Sequence, residues 1–286
     1  MPPITLTAFA EQRRSCPHKL TGGPFSRQGH QHYMQDGALG IWVVRDEAEK
    51  LGRYLETHLG GKLGGLNRKA GETNREAFSS HFADHSQWIL VMAAGIAVRY
   101  LEGLLRDKSI DPGVVVIDEG CRHAIALVGG HEGGANFLAY RVANLTGAIP
   151  VVTTATEALK PLVAGIGCRR DVSIEQIDAA IEEALLAVSR SRTEIREIAT
   201  ADLKGDEEAI RQWCKQFGVP LRLIPCSLIQ ERPWVTQSSP LVYTRFGIEG
   251  VCEPCALLAT FKGRLILRKI TRNGVAVAIA EEVSGI

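Results

Sequence analysis

The chain has 286 residues, 45% hydrophobic and 23% charged, with 33 Lys+Arg against 32 Asp+Glu, the make-up of an ordinary globular protein of about two domains. A net charge of +1 gives no broad basic surface, which argues against general nucleic-acid binding and against attraction to an anionic membrane. The longest run free of Asp, Glu, Lys and Arg, 142–156, is broken by Asn144, Thr146, Thr153 and Thr154, so no transmembrane helix is expected.

Residues 1–37 hold His18, His30 and His32 among several Gly and Pro without periodicity, and read as a loosely ordered arm. The start has no basic stretch ahead of an apolar core, so no secretory leader is expected and a cytoplasmic location is. From Leu39 the pattern changes. LGIWVV (39–44) is a buried-strand run, and 46–59 places Ala48, Leu51, Leu55 and Leu59 along one helical face. A Gly- and Asn-rich stretch follows over about 60–74. WILVM (88–92) and VVVI (114–117) repeat the strand signature, with an amphipathic helix predicted over 95–106 between them. AIALV (124–128), a helix over about 134–146 and IPVVTT (149–154) continue the alternation. Strands alternating with helices predict an α/β fold with a mostly parallel sheet.

A second unit is expected from Pro161. LVAGIG (162–167) is a strand, Ser173 and Gln176 form a capping box, and Ile174, Ile177, Ile181, Leu185 and Val188 mark the next helix. Strands over 194–200 and 220–224 flank a helix over 206–218 closed by Gly218, and Asn273-Gly274 joins two final strands as a hairpin. The expected organisation is an arm (1–37), one α/β domain (38–160) and a second (161–286), each a mostly parallel or mixed sheet flanked by helices.

The most informative stretch is GGHEGGAN (129–136), which leaves a strand and enters a helix. Its four glycines let the backbone approach a ligand, and helix-start amides can hold a carboxylate, a phosphate or a developing oxyanion. His131 and Glu132 in the same turn can move protons near neutral pH. A tight strand-to-helix turn with an exposed His is the plainer alternative. The glycine spacing matches neither the dinucleotide-binding nor the nucleotide-hydrolase loop. Gly95, with Arg99 one turn on, and the 153–156 segment with Thr153, Thr154 and Thr156 also follow strands, and in an open sheet the three turns are expected to share one crevice. Asp118, after VVVI, could orient a base or simply end the strand. In the second unit, Cys168, Arg169 and Arg170 follow a glycine turn, and paired guanidiniums suit a polycarboxylate. Seven scattered cysteines do not make a disulfide framework in a chain of this size. Cys252 and Cys255 have CxxC spacing without a second pair, so no zinc is expected. His81 and His85 are expected to be exposed.

Taken together, MAAGIAVRYLEGLLRDKSIDPGVVVIDEG (92–120) and GGHEGGANFLAYRVANLTGAIPVVTTAT (129–156) closely resemble the amino-terminal domain of the cobalamin-biosynthesis family CbiG, the cobalt-precorrin-5A hydrolases. GIGCRRDVSIEQIDAAI (165–181), ATADLKGDEEAI (199–210), FGVPLR (217–222) and GVCEPCALLA (250–259) resemble its carboxy-terminal domain, which also occurs alone as CobE. The resemblance implies opening of the δ-lactone of cobalt-precorrin-5A by water, with release of acetaldehyde to give cobalt-precorrin-5B. It implies no cofactor of the protein's own, since cobalt arrives inside the corrinoid substrate. His131, assisted by Glu132, would activate water or shuttle protons; the Gly133, Gly134 and Ala135 amides would stabilise the oxyanion; Gly95, Arg99, Asn136, Thr154, Thr156 and Arg169 would line the macrocycle. Partners are expected to be the cobalt-corrinoid, with neither nucleic acid nor membrane; self-association and contact with other cobalamin-pathway enzymes are left open. Two departures stand out. The middle domain common in full-length members is missing between Thr156 and Pro161, and Asp171 stands where the motif often has Gly. A non-catalytic tetrapyrrole carrier, or an unrelated polyanion-binding module, are the competing readings.

Overall fold

The computed structural model describes residues 39–66, 70–232 and 234–282; the expected arm lies outside them. The chain divides into two compact units, one through Ala135 and one from Asn136.

In the first unit, β1 (Leu39–Val43), β3 (Gln87–Val91) and β4 (Gly113–Ile117) run parallel, with Leu39 opposite Gln87 and Gln87 opposite Gly113. Their near-continuous β-branched and aliphatic content suits strands covered on both faces. β2 (Lys62–Gly64) pairs parallel on the outer side of β1. α1 (Glu49–Leu59) buries Leu51, Leu55 and Leu59 as its periodicity requires and stops at Gly60 in a left-handed conformation, φ 77°. α2 (Asn74–His81) arises in the stretch read as irregular. It is started by a capping box in which the Thr73 hydroxyl accepts from the Glu76 N–H and the Glu76 carboxylate accepts from the Thr73 N–H. One face of the sheet is closed by Trp42, Phe78, Phe82 and Trp88, with Phe78 and Trp88 edge to face at 5.1 Å. α3 (Ala94–Leu101) is shorter than expected: Gly103 adopts φ 78° just beyond its end, where the chain turns away instead of continuing to 106.

β5 (His123–Val128) departs from the parallel pattern. It pairs antiparallel with β4, with Val114 opposite Val128 and Ile117 opposite Ala124. Only residues 118–122 separate these strands, whereas a parallel return needs a dozen or more.

The second unit opens with all but the first residue of α4 (Ala135–Thr146), then β6 (Ile149–Val151) and the four-residue α5 (Ala155–Ala158). Its own sheet has the order β10-β11-β7-β8-β9, built from β7 (Leu162–Cys168), β8 (Ile195–Ala201), β9 (Leu221–Ile224), β10 (Gly263–Arg272) and β11 (Val275–Glu282). β7, β8 and β9 are parallel, while β11 is antiparallel to both β7 and β10. The β10–β11 turn uses Asn273 (φ 47°) and Gly274 (φ 85°), the two left-handed residues of a type I′ hairpin. Along β7, Leu162, Ala164 and Ile166 pack with α6 (Ile174–Ala187) and α7 (Glu208–Phe217), and Val163 joins the opposite core with α8 (Cys226–Glu231) and α10 (Cys252–Ala259). α9 (Pro240–Phe246) lies between α8 and α10 in the chain. Asn144 of α4 serves the free edge of β9: its Nδ2 donates to the Leu221 carbonyl and its Oδ1 accepts from the Leu223 N–H, each at 2.8 Å.

The Ser173–Gln176 capping box is present as expected, and the turn before it explains Asp171. Asp171 sits at φ 59°, in the region that Gly occupies freely and Asp tolerates. Asp171→Gly is therefore expected to change stability by less than about 1 kcal/mol, and Asp171→Val to cost about 1–2 kcal/mol, in paired urea unfolding curves.

Candidate functional site

Strand direction decides where the predicted residues stand. β3 ends at Val91, so Gly95 and Arg99 lie at the carboxyl edge of the parallel strands. There Arg99 is exposed and its Nη1 donates to the Gly95 carbonyl at 2.9 Å. β5 runs the other way, so the 129–134 turn emerges beside the amino ends of β3 and β4. Two contacts fix it there: Gln87, the first residue of β3, donates through Nε2 to the Gly133 carbonyl at 2.9 Å, and Gly113, the first of β4, packs directly against Gly129 and Gly133. The expectation that these turns share one crevice is thus corrected. The Gly95 turn and the 129–134 turn occupy opposite edges of one sheet, because the β4–β5 link is too short for a crossover.

The glycine turn is rigid for an identifiable reason. A Cβ at Gly113 would strike the Gly133 carbonyl, and one at Gly133 would come within 2.5 Å of the Gly113 nitrogen. Gly129 (φ 65°) and Gly134 (φ 72°) supply left-handed backbone. The Gly134 N–H donates to the His131 carbonyl and the Ala135 N–H to the Gly129 carbonyl, both at 3.1 Å. Two of the three amides expected to bind an oxyanion are therefore occupied by the turn itself. Among the described residues the Gly133 N–H has no such partner. His131 and Glu132 stand exposed at the tip, with Lys108 Nζ 4.0 Å from Glu132 Oε1.

Asp118 holds the β4–β5 turn. It accepts from the Arg122 and His123 amides at 3.0 and 2.9 Å and from Arg122 Nε at 3.0 Å. Burial pushes its carboxyl up, but these donors together outweigh burial and leave it below the usual carboxylate range. The role is that of a strand-ending turn residue. His81 is exposed as expected, whereas His85 is not: it is half-buried and stacked on Trp88 with ring centroids 4.6 Å apart. Its buried Nδ1 has no partner, and burial holds the imidazole below its ordinary pKa.

In the second unit, Asn136 is 4% exposed and donates through Nδ2 to Thr154 Oγ1 at 3.1 Å, while its Oδ1 is buried without a partner. Such an unsatisfied amide is costly unless something pairs with it. Thr154 precedes α5; Thr153 and Thr156 are exposed. Arg169 and Arg170 follow β7 at the carboxyl edge of the parallel strands, exposed and without an acidic partner among the described residues. Their turn is braced by the hairpin tip: the Arg169 N–H donates to the Gly274 carbonyl at 2.9 Å and Gln176 Nε2 to that of Asn273. Cys168 is pushed up to about 11 by burial and Cys252 to about 12; Cys255 is raised by burial as well. Such thiols are poor nucleophiles at neutral pH. The CxxC opens α10, where Pro254 is tolerated because first-turn N–H groups have no intrahelical acceptor.

Three residues escaped the sequence reading. Gln87 and Gly113 shape the glycine turn from strands distant in sequence. Glu253, 1% exposed, accepts from the Thr236 N–H at 2.7 Å, from its hydroxyl and from the Lys269 N–H at 3.0 Å. These three carried no local signal, unlike the overlooked Thr73-x-x-Glu76 capping pattern.

These features define a two-unit α/β protein with a glycine-locked turn presenting a His–Glu pair and, in its second unit, a paired-arginine turn. Residues 76–157 match the family described as cobalamin synthesis G N-terminal, and residues 162–280 match cobalamin synthesis G C-terminus. The cobalt-precorrin-5A hydrolase of Priestia megaterium is 31% identical, over 72% of this chain and 81% of that protein. The enzyme of the same name from Salmonella typhimurium is 51% identical over 85 residues, 30% of this chain and 23% of that one. The crystal structure of CobE, a protein from the cobalamin biosynthetic pathway, aligns with 44% of this chain and 93% of its own at 26% identity and a TM-score of 0.42. The chain belongs to the cobalamin synthesis G family, which supports a role in cobalamin biosynthesis.

Proposed function

We propose that this protein hydrolyses the δ-lactone of cobalt-precorrin-5A, releasing acetaldehyde and giving cobalt-precorrin-5B. The observation that carries the reading is the match to the Priestia megaterium hydrolase across most of both chains. In the first unit, His131 and Glu132 take the proton-handling role, His131 as the group that activates water and returns a proton to the leaving fragment. The backbone that carries them supports this: close packing of Gly113 against Gly129 and Gly133 fixes the turn from which both side chains project. Of the three amides, Gly133 is the one with a free N–H to offer the oxyanion. The Lys108 ammonium, beside Glu132, adds positive charge at the same edge.

The carboxylate-rich substrate calls for donors and cations. Arg169, with Thr154 and Thr156, supplies them in the second unit, while the buried Asn136 Oδ1, an acceptor, would take an N–H or O–H donor of the ligand. Gly95 and Arg99 stand at the other edge of the first sheet, away from the glycine turn. The cobalt ion belongs to the substrate. The proposed reaction takes place in the cytoplasm. Anaerobic incubation with cobalt-precorrin-5A tests it. Acetaldehyde release supports hydrolysis; tight binding without release supports a carrier.

A further inference from the structure

A second feature lies apart from the glycine turn and the arginine turn. Between α8 and β10 is a cavity of about 190 Å³ with Leu257 and Leu258 of α10 among its lining, Trp234 and Phe261 as walls, and Arg232 and Lys262 at the rim. Phe261 is 86% exposed and Trp234 46%. Each ring carries a cation: Arg232 Cζ is 5.7 Å from the Trp234 centroid and Lys262 Nζ 5.8 Å from that of Phe261. Neither cation has a carboxylate partner among the described residues.

The exposure is built in. The α10–β10 corner is fixed by the Thr260 hydroxyl, which donates to the Leu257 carbonyl at 2.9 Å, and by Gly263, where any side chain would collide with Thr260. Phe261 is therefore held outward by a rigid turn. The opposite wall is tethered two residues beyond Trp234, where Thr236 is bound twice by the buried Glu253. Two outward aromatics held by fixed backbone, each paired with an unneutralised cation, match a ligand with a flat apolar face and an acidic margin.

We propose that this pocket binds the carboxylate-bearing edge of a flat, apolar ring system, with Trp234 and Phe261 against the ring and Arg232 and Lys262 on the acids. Its volume is below the roughly 300 Å³ at which whole-ligand pockets begin, so it takes one edge and leaves the rest outside. Naming a corrinoid as the natural ligand rests on the proposed function; the pocket does not.

The test titrates the full chain with three probes: pyrenebutyrate, a flat apolar acid; cobyrinic acid, a corrin with free carboxylates; and cobinamide, a corrin with amidated side chains. Calorimetry is read beside tryptophan fluorescence, since Trp42, Trp88 and Trp213 are buried and Trp234 is exposed. Phe261→Ser and the double variant Arg232→Gln/Lys262→Gln change exposed side chains and should fold. The expected result is binding of pyrenebutyrate and cobyrinic acid, weakened at least 10-fold by each variant and by high salt, with cobinamide at least 10-fold weaker than cobyrinic acid. No binding of either acid by the wild type, or binding unchanged in both variants, overturns the proposal. Sensitivity confined to pyrenebutyrate supports the pocket and removes the corrinoid as its ligand. A wild type that releases acetaldehyde while the variants bind normally defeats the pocket alone; pocket binding without acetaldehyde release defeats the hydrolase reading alone.

Discussion

Replacing His131 with Ala is expected to slow acetaldehyde release from cobalt-precorrin-5A by about 10²- to 10⁴-fold, the usual loss when a positioned acid–base group is removed. Substrate affinity should change far less, because in the proposed function the carboxylates are held by Arg169 and by the Thr154 and Thr156 hydroxyls instead. The variant should fold normally, since His131 is exposed and the turn is locked by glycines and by Gln87. Single-turnover rates and equilibrium binding, measured on the same preparation, separate the two effects. An unimpaired variant would remove His131 from the mechanism and leave Glu132 as the proton-handling group.

The second large effect concerns the fold. Gly165 lies on β7 where α10 crosses, and a Cβ there would run into the Cys252 carbonyl and lie 2.9 Å from the Ala256 methyl. Backbone cannot step aside as a flexible side chain does, so Gly165→Ala should cost about 3 kcal/mol or more, at or beyond the upper end for overpacking. Gly167 is the natural control: its Cβ would meet Val251 Cβ at 3.2 Å, and Gly167→Ala should cost about 1 kcal/mol. Urea unfolding of the pair measures the difference. Equal midpoints would mean that α10 is packed more loosely on β7 than the structure describes.

Most of the regular elements were legible because they carry local signals. The Ser173 and Gln176 pair, the Asn273-Gly274 turn and the helix closing at Gly218 each follow from residues within a few positions of one another. α2 had an equally local signal in Thr73 and Glu76, but its surroundings of Gly and Asn masked it. α10 was hidden because Pro254 and the two cysteines drew attention to a redox or metal pattern, whereas at a helix start the proline is harmless and the thiols are buried. The direction of β5 was also readable: a link of residues 118–122 cannot carry a parallel crossover, and that single inference would have separated the Gly95 turn from the glycine turn. What sequence could not reveal was non-local. Nothing near Gln87 or Gly113 announces that they hold Gly133, and nothing near Glu253 shows that it ties Thr236 to β10.

The candidate site divides in the same way. The glycine turn and its His–Glu tip were visible as residues, but whether their amides are free depends on hydrogen bonds that close only in the folded turn. Gly134 and Ala135 turn out to be donors within it, which leaves Gly133 as the amide available for the proposed oxyanion role. Asn136 was chosen from its motif; in the folded chain its Nδ2 donates to Thr154 Oγ1, and its buried, unpartnered Oδ1 can only accept.

The most direct test of the whole account is anaerobic incubation of the purified full chain with cobalt-precorrin-5A, following acetaldehyde and the corrinoid spectrum together. The account predicts one acetaldehyde released per substrate consumed, with turnover suppressed in the His131→Ala variant. A wild type that binds the substrate, shifts its spectrum and releases no acetaldehyde would contradict it.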